Sequence, residues 1–175
     1  MPRPTRTRFH CIDAHTCGNP VRLVYRGGPE LEGETMLDRR QHFMAEYDWI
    51  RTALMFEPRG HALMSGSILY PSAREDCDIG VLFIETSGCL PMCGHGTIGL
   101  MVTLAHMGRI KPGEHRIDTP VGVVTATLTN DGKVTVQNVA SWRARKAVPV
   151  EVPRLGKITG DVAWGGNWFF LVEDH

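Results

Sequence analysis

The sequence predicts an α+β protein, mostly short strands with two helices. Three observations carry that reading. Residues 121–129 and 133–139 alternate apolar and polar side chains across Asn130-Asp131-Gly132, the pattern of a hairpin with one buried face. Residues 79–84 are apolar nearly throughout, as in a strand covered on both faces. Phe43, Tyr47, Ile50 and Leu54 recur at spacings of four, three and four, which makes one helical stripe.

Each element has its own local signal. Residues 9–13 and 21–25 read as strands around a turn at Gly18-Asn19-Pro20, and Gly27-Gly28-Pro29 ends the second. Asp38-Arg39-Arg40-Gln41 reads as a capping box that opens the first helix. Glu57-Pro58 stops that helix, because the residue before a proline avoids helical geometry. Strands are expected over 62–69 and 79–84. A second helix is expected from about Gly96 to Met107, ended by Gly108, with Ile98, Met101, Val102 and Ala105 on one face. After the 121–139 hairpin, residues 143–153 hold two prolines and read as an edge strand or a connection. Residues 164–172 are strongly apolar.

Composition narrows the function. The chain has 175 residues, 42% apolar and 22% charged, with 19 basic and 19 acidic residues that cancel. Its length fits one domain or two very small ones. A balanced chain lacks the field on which non-specific nucleic-acid or anionic-membrane binding depends, so neither partner is expected. The five cysteines, at positions 11, 17, 77, 89 and 93, make an odd and irregular set, which favours reduced thiols over a disulfide framework. The first eight residues carry charge with no apolar stretch behind them. A signal peptide is therefore not expected, and a cytoplasmic location is.

The chemistry concentrates in Ser87-Gly88-Cys89-Leu90-Pro91-Met92-Cys93-Gly94-His95-Gly96-Thr97-Ile98-Gly99, which joins a buried strand to a helix. The first amides of a helix have no intrahelical partner and can cradle an anion such as a carboxylate. Glycines on both sides of His95 allow close approach by a ligand. A thiol at that point, Cys93, is expected to have its pKa lowered by the amides and the helix dipole. Its alkylation should then outpace that of Cys11, Cys77 and Cys89, which read as small buried hydrophobes. Cys89, Cys93 and His95 fall short of the four ligands a structural zinc needs. No Gly-Lys-Ser/Thr follows the glycines, and no Gly-x-Ser-x-Gly elbow occurs, so phosphate-loop and serine-hydrolase chemistry are not indicated. Two polar turns, His15-Thr16-Cys17-Gly18-Asn19-Pro20 and Glu57-Pro58-Arg59-Gly60-His61, could line a pocket or simply be hydrogen-bonded turns; Gly165-Gly166-Asn167 leaves the same alternatives.

Four stretches taken together resemble the proline racemase family. They are Asp13-Ala14-His15-Thr16-Cys17-Gly18-Asn19-Pro20-Val21-Arg22, Glu57-Pro58-Arg59-Gly60-His61, Met92-Cys93-Gly94-His95-Gly96-Thr97-Ile98-Gly99 and Gly165-Gly166-Asn167-Trp168-Phe169. The Gly-Thr after His95 looks most like the 4-hydroxyproline 2-epimerase branch. The resemblance implies that residues 1–175 are the N-terminal catalytic half of a two-half enzyme similar to diaminopimelate epimerase. Each half of such an enzyme wraps mostly antiparallel strands around a central helix. The active site would lie between the halves, each giving one catalytic Cys. By the same resemblance Cys93 is the first catalytic Cys, and Gly94 and His95 bind the substrate carboxylate and orient the substrate. The second Cys belongs to a Cys-Gly-Thr-Gly-type motif of the C-terminal half, which this chain does not contain.

The implied reaction inverts the α-carbon of 4-hydroxyproline or proline with no cofactor, neither pyridoxal phosphate nor metal. Expected partners are that small molecule and the missing C-terminal half, with a second copy of the chain as a further candidate. A trans-3-hydroxy-L-proline dehydratase of the same family, which keeps only the first Cys, is the alternative enzyme. A non-catalytic remnant that binds proline-like ligands is the alternative of another class. The chain alone is expected to be inactive, with Cys93 on an open face.

Overall fold

A computed structural model of the chain describes residues 7–173. The charged start noted above falls mostly on residues 1–6, outside the described residues. Contacts divide the chain into two units, the first ending at Gln137 and the second beginning at Asn138.

The first unit opens with strands β1 (His10–Thr16) and β2 (Asn19–Arg26). Helix α1 (Met36–His42) continues through a π-helical segment (Phe43–Tyr47) into α2 (Asp48–Met55). Strands β3 (Ser65–Tyr70), β4 (Ile79–Glu85) and the short β5 (Cys89–Leu90) precede helix α3 (Gly94–His106). Strands β6 (Gly113–Thr119), β7 (Gly122–Leu128) and β8 (Val134–Gln137) complete it. The sheet runs β1-β2-β3-β4-β6-β7-β8, with β5 paired to β4 off that path. Two neighbours are parallel, β2 with β3 and β4 with β6. Parallel neighbours need a crossover, and these two crossovers carry α1–α2 and α3.

Successive side chains of a strand point to opposite faces, and here both faces are covered. On β4, Leu82 and Ile84 join Phe43, Ile50, Leu54 and Met55 in the core under α1–α2. Ile79, Val81 and Phe83 join Leu100, Met101 and Leu104 in the core under α3. On β2 the neighbours Val24 and Leu23 divide the same way. The apolar run of β4 thus has the expected cause. Helix α3 touches β1, β2, β3, β7 and β8, so strands wrap around a central helix as the fold class anticipates.

Two boundaries and one helix face differ most from the sequence reading. The capping box is Thr35–Asp38: Thr35 Oγ1 accepts from the Asp38 amide (3.1 Å) and Asp38 Oδ2 from the Thr35 amide (3.0 Å). The first helix therefore starts at Met36. The turn between β1 and β2 is Cys17-Gly18, with φ of 49° and 88°, so Asn19 and Pro20 belong to β2. The buried face of α3 is Thr97, Leu100, Met101 and Leu104, while Val102 is exposed. Of the expected stripe, Met101 is buried and Ala105 packs on the same core, so Val102 is the residue that points away. Small residues let the helix sit close, since a Cβ on Gly99 would stand 3.0 Å from a Val21 methyl. Strand β6 had no legible signal, because Ile117 is its single apolar residue.

The second unit is a three-stranded antiparallel sheet, β9 (Trp142–Val152), β10 (Gly156–Trp164) and β11 (Trp168–Leu171), in the order β11-β10-β9. Strand β9 is an edge, where Pro149 removes no needed donor, as residues 143–153 led one to expect. Trp164 pairs across the sheet with both Trp142 and Trp168, at ring-centroid distances of 5.6 and 5.2 Å. Such pairs stabilise a small sheet beyond their buried area.

The two-sided core makes a measurable prediction. Phe83, 1% exposed between β4 and α3, should cost about 3–5 kcal/mol when replaced by Ala. Val102→Ala, on the exposed side of α3, should stay within about 0.5 kcal/mol. Urea denaturation of the two variants tests this, and similar losses would contradict the assignment of α3's faces.

Candidate active site

Strand β4 turns back into β5, and Pro91 and Met92 then lead to Cys93. Cys93 is the N-cap of α3, with extended backbone (φ −142°, ψ 110°). Its carbonyl accepts from the Thr97 amide (2.9 Å) and the Thr97 hydroxyl (2.8 Å), which closes the first turn and fixes the residue. The expected placement of Cys93 at the start of this helix is therefore met.

Gly94 and Gly96 do different things. Gly94 is exposed, and a Cβ there would meet nothing, so the surface beside the helix start is open. Gly96 is buried, and a Cβ there would lie 3.1 Å from both Cys93 Sγ and a Phe83 ring carbon. Its missing side chain makes room for the thiol rather than for a ligand. His95 Nδ1 lies 3.4 Å from Cys93 Sγ. His95 Nε2 is buried and has no hydrogen-bond partner among the described residues. Thr16 Oγ1, from the end of β1, donates to the His95 carbonyl at 3.0 Å.

The thiol's electrostatics reverse the sequence expectation. The Cys93 pKa is raised, and burial is the main cause. The Gly96 and His95 amides do pull it down, yet neither makes a full hydrogen bond to the sulfur, so desolvation outweighs them. Nearby Glu85 adds to the rise. Cys93 is half-buried against the α3 core, beside the open surface at Gly94. Burial likewise raises Cys11 and Cys77, and it pushes Cys89 up to about 11. Cys17, on the hairpin tip, is the exposed thiol.

The structure brings the first polar turn to this site through Thr16. The turn is also internally bonded, with the Gly18 amide donating to His15 Nδ1 (3.2 Å). Glu57-Pro58-Arg59-Gly60-His61 serves another contact. Arg22 pairs with Asp13 through two bonds of 2.8 Å and donates to the Leu54 and Arg59 carbonyls, tying that segment to β2. An open groove of about 920 Å³ is lined there by Arg8, Cys11, Asp13, Arg22, Leu54 and Arg59. The candidate site is placed at Cys93 instead, where a thiol, helix-end amides and an imidazole converge. Gly165-Gly166-Asn167 forms the β10–β11 turn of the second unit, closed by the Gly165 amide donating to the Asn167 carbonyl (3.0 Å). Among the described residues, no cluster of His, Cys, Asp and Glu is placed to hold a metal, and no helix is long and apolar enough to cross a membrane. The Thr16 contact had no sequence signal, because it joins residues 79 apart.

Comparison with known proteins follows the same line. The Proline racemase family profile matches residues 11–175. A 4-hydroxyproline epimerase of Brucella ovis is 56% identical over 96% of this chain, which covers 53% of that relative. A 4-hydroxyproline 2-epimerase of Brucella anthropi is 55% identical, with 52% of its length covered. The chain thus spans about half the length of the curated relatives it matches. A hydroxyproline epimerase of Agrobacterium vitis, solved with trans-4-hydroxy-L-proline bound, matches 94% of this chain and 51% of its own at 24% identity and a TM-score of 0.87. A probable proline racemase of Agrobacterium radiobacter gives 24% identity, a TM-score of 0.88, and coverage of 94% and 52%. These structures establish the fold.

Exposure and burial rank the thiols. At neutral pH iodoacetamide should alkylate Cys17 fastest and Cys89 slowest, with the Cys93 rate still climbing where an ordinary thiol has levelled off, because its pKa is raised. Mass-spectrometric rates showing a plateau for Cys93 near pH 7 would mean that the helix-end amides outweigh burial.

Proposed function

The chain belongs to the proline racemase family, and from that premise we propose that it is the N-terminal catalytic half of a 4-hydroxyproline epimerase in which Cys93 is one of two acid/base thiols. One observation supports this above the rest: Cys93 caps α3 where His95 Nδ1 and two backbone amides surround its sulfur.

Inverting a carbon requires removing its proton on one face and delivering a proton on the other. A single group tends to return the proton to the face it came from. A thiolate and a thiol on opposite faces avoid that, and they exchange roles with reaction direction. The proton next to a carboxylate is a very weak acid, so the base must be strong. Burial of Cys93 serves this, because a thiol with a raised pKa gives a more basic thiolate once formed. Gly94, open to solvent at the helix start, and His95 are assigned to the substrate carboxylate and to orienting the ring. An anion there meets unpaired helix-end donors, which stabilise the developing carbanion. The substrate is 4-hydroxyproline or proline, the second thiol comes from a C-terminal half, and no cofactor takes part.

Fusing this chain to the C-terminal half of the Brucella ovis relative tests the reading. The fusion should interconvert trans-4-hydroxy-L-proline and cis-4-hydroxy-D-proline, read by deuterium incorporation at the α-carbon in D2O. Cys93→Ser in that fusion should abolish inversion, and the 175-residue chain alone should show none. Inversion by the chain alone, or by the Cys93→Ser fusion, would refute it.

A further inference from the structure

We infer that Thr16 is a positioning residue for the Cys93 thiol, acting through the peptide unit that joins His95 to Gly96. The inference deepens the proposed function and rests on Cys93 being an acid/base thiol. The geometry is a relay of three groups. The Thr16 hydroxyl donates to the His95 carbonyl at 3.0 Å. That carbonyl and the Gly96 N–H belong to one planar peptide group, so fixing one end fixes the other. Gly96 lies against the sulfur, where even a Cβ would come within 3.1 Å of Sγ. His95, held by the same contact, places Nδ1 3.4 Å from that sulfur.

Two physical effects follow from the Thr16 bond. It holds the peptide plane, so the Gly96 dipole stays aimed at the thiolate. It also polarises the peptide, since a donor on a carbonyl strengthens the N–H of the same unit. Thr16 is half-buried, and its strand is tied to β2 by the hairpin, so the hydroxyl has a firm base. The titratable groups acting on Cys93 from the elements around it are His95 on α3 and Glu85 at the end of β4. Neither touches Thr16 through its side chain, so removing the hydroxyl changes the peptide and leaves both in place. Losing the donor weakens support for the thiolate, and the thiol pKa moves up.

The test follows alkylation of Cys93 by iodoacetamide against pH in Thr16→Val, which keeps the side-chain shape and removes the hydroxyl. The Cys93 midpoint should rise by about 0.3–0.5 pH unit, making labelling below the midpoint roughly two to three times slower. Thr16→Ser should restore the original profile, and Cys77, away from this relay, should keep its own profile throughout. An unchanged Cys93 midpoint in a folded Thr16→Val chain would overturn the proposal, as would an equal shift at Cys77. If Thr16→Val does not fold, Thr16→Ala against Thr16→Ser gives the same comparison, and matching midpoints in that pair overturn it. The readout is thiol acidity rather than turnover. Failure of the relay would therefore leave the role of Cys93 standing, and inversion by the Cys93→Ser fusion would overturn that role while leaving the effect of Thr16 on thiol acidity standing.

Discussion

The close seating of α3 against the curved sheet is the constraint on which the site depends. A helix enclosed by five strands must present small residues where neighbouring side chains press on it, and Gly99 against the Val21 side chain is one such place. Gly96 is another, packed under the ring of Phe83. Because α3 cannot shift along the sheet without disturbing these contacts, its N-cap residue has a fixed position. That residue is Cys93. The thiol is therefore placed by the packing of the helix behind it, with the Thr97 side chain and amide holding its carbonyl from within the first turn.

The same packing explains the thiol's acidity. A helix start lowers a thiol pKa only when solvent or direct hydrogen bonds help to carry the charge. Here Cys93 is drawn against Leu100, Met101 and their neighbours, and desolvation wins over the amides. The sequence supports the amide argument alone, because Gly94 and Gly96 are visible in it and burial is not. The outcome is a thiol kept in reserve, protonated at neutral pH and strongly basic when ionised.

Much of the fold could be read from local pattern. The two-sided burial of β4, the 130–132 hairpin and the edge character of β9 follow from side-chain periodicity and proline chemistry, and the structure contains all three. Boundaries set by a single side-chain bond could not be read so well. Thr35 and Asp38 satisfy the cap three residues before the expected start, since each side chain accepts from the other's amide. Strand β6 depends on parallel pairing with β4 at Ile117 and Asp118, a contact between distant segments with almost no periodic trace. In the site, the Cys93-Gly94-His95 cluster was legible because it is contiguous. Its union with the β1–β2 hairpin was not, because Thr16 meets His95 only after the sheet has formed.

A thiol that serves as base in one direction and acid in the other must tolerate both charge states in one geometry. A fully hydrogen-bonded thiolate would be stable but a poor base, and a thiol buried with no dipoles near it would seldom ionise. In the role proposed for it, Cys93 would stand between these limits. Burial raises the energy of its charged form, while the dipoles of His95 and Gly96, and the His95 ring, are already oriented before the charge appears. Oriented dipoles need no reorganisation when the proton moves, and that gives them their value in a desolvated setting. The hairpin contact extends this logic, because a dipole helps only while its peptide is held still. What the sheet supplies through Thr16 is that rigidity, so under the proposed function the β1–β2 hairpin would serve proton transfer although it contributes no acid or base of its own.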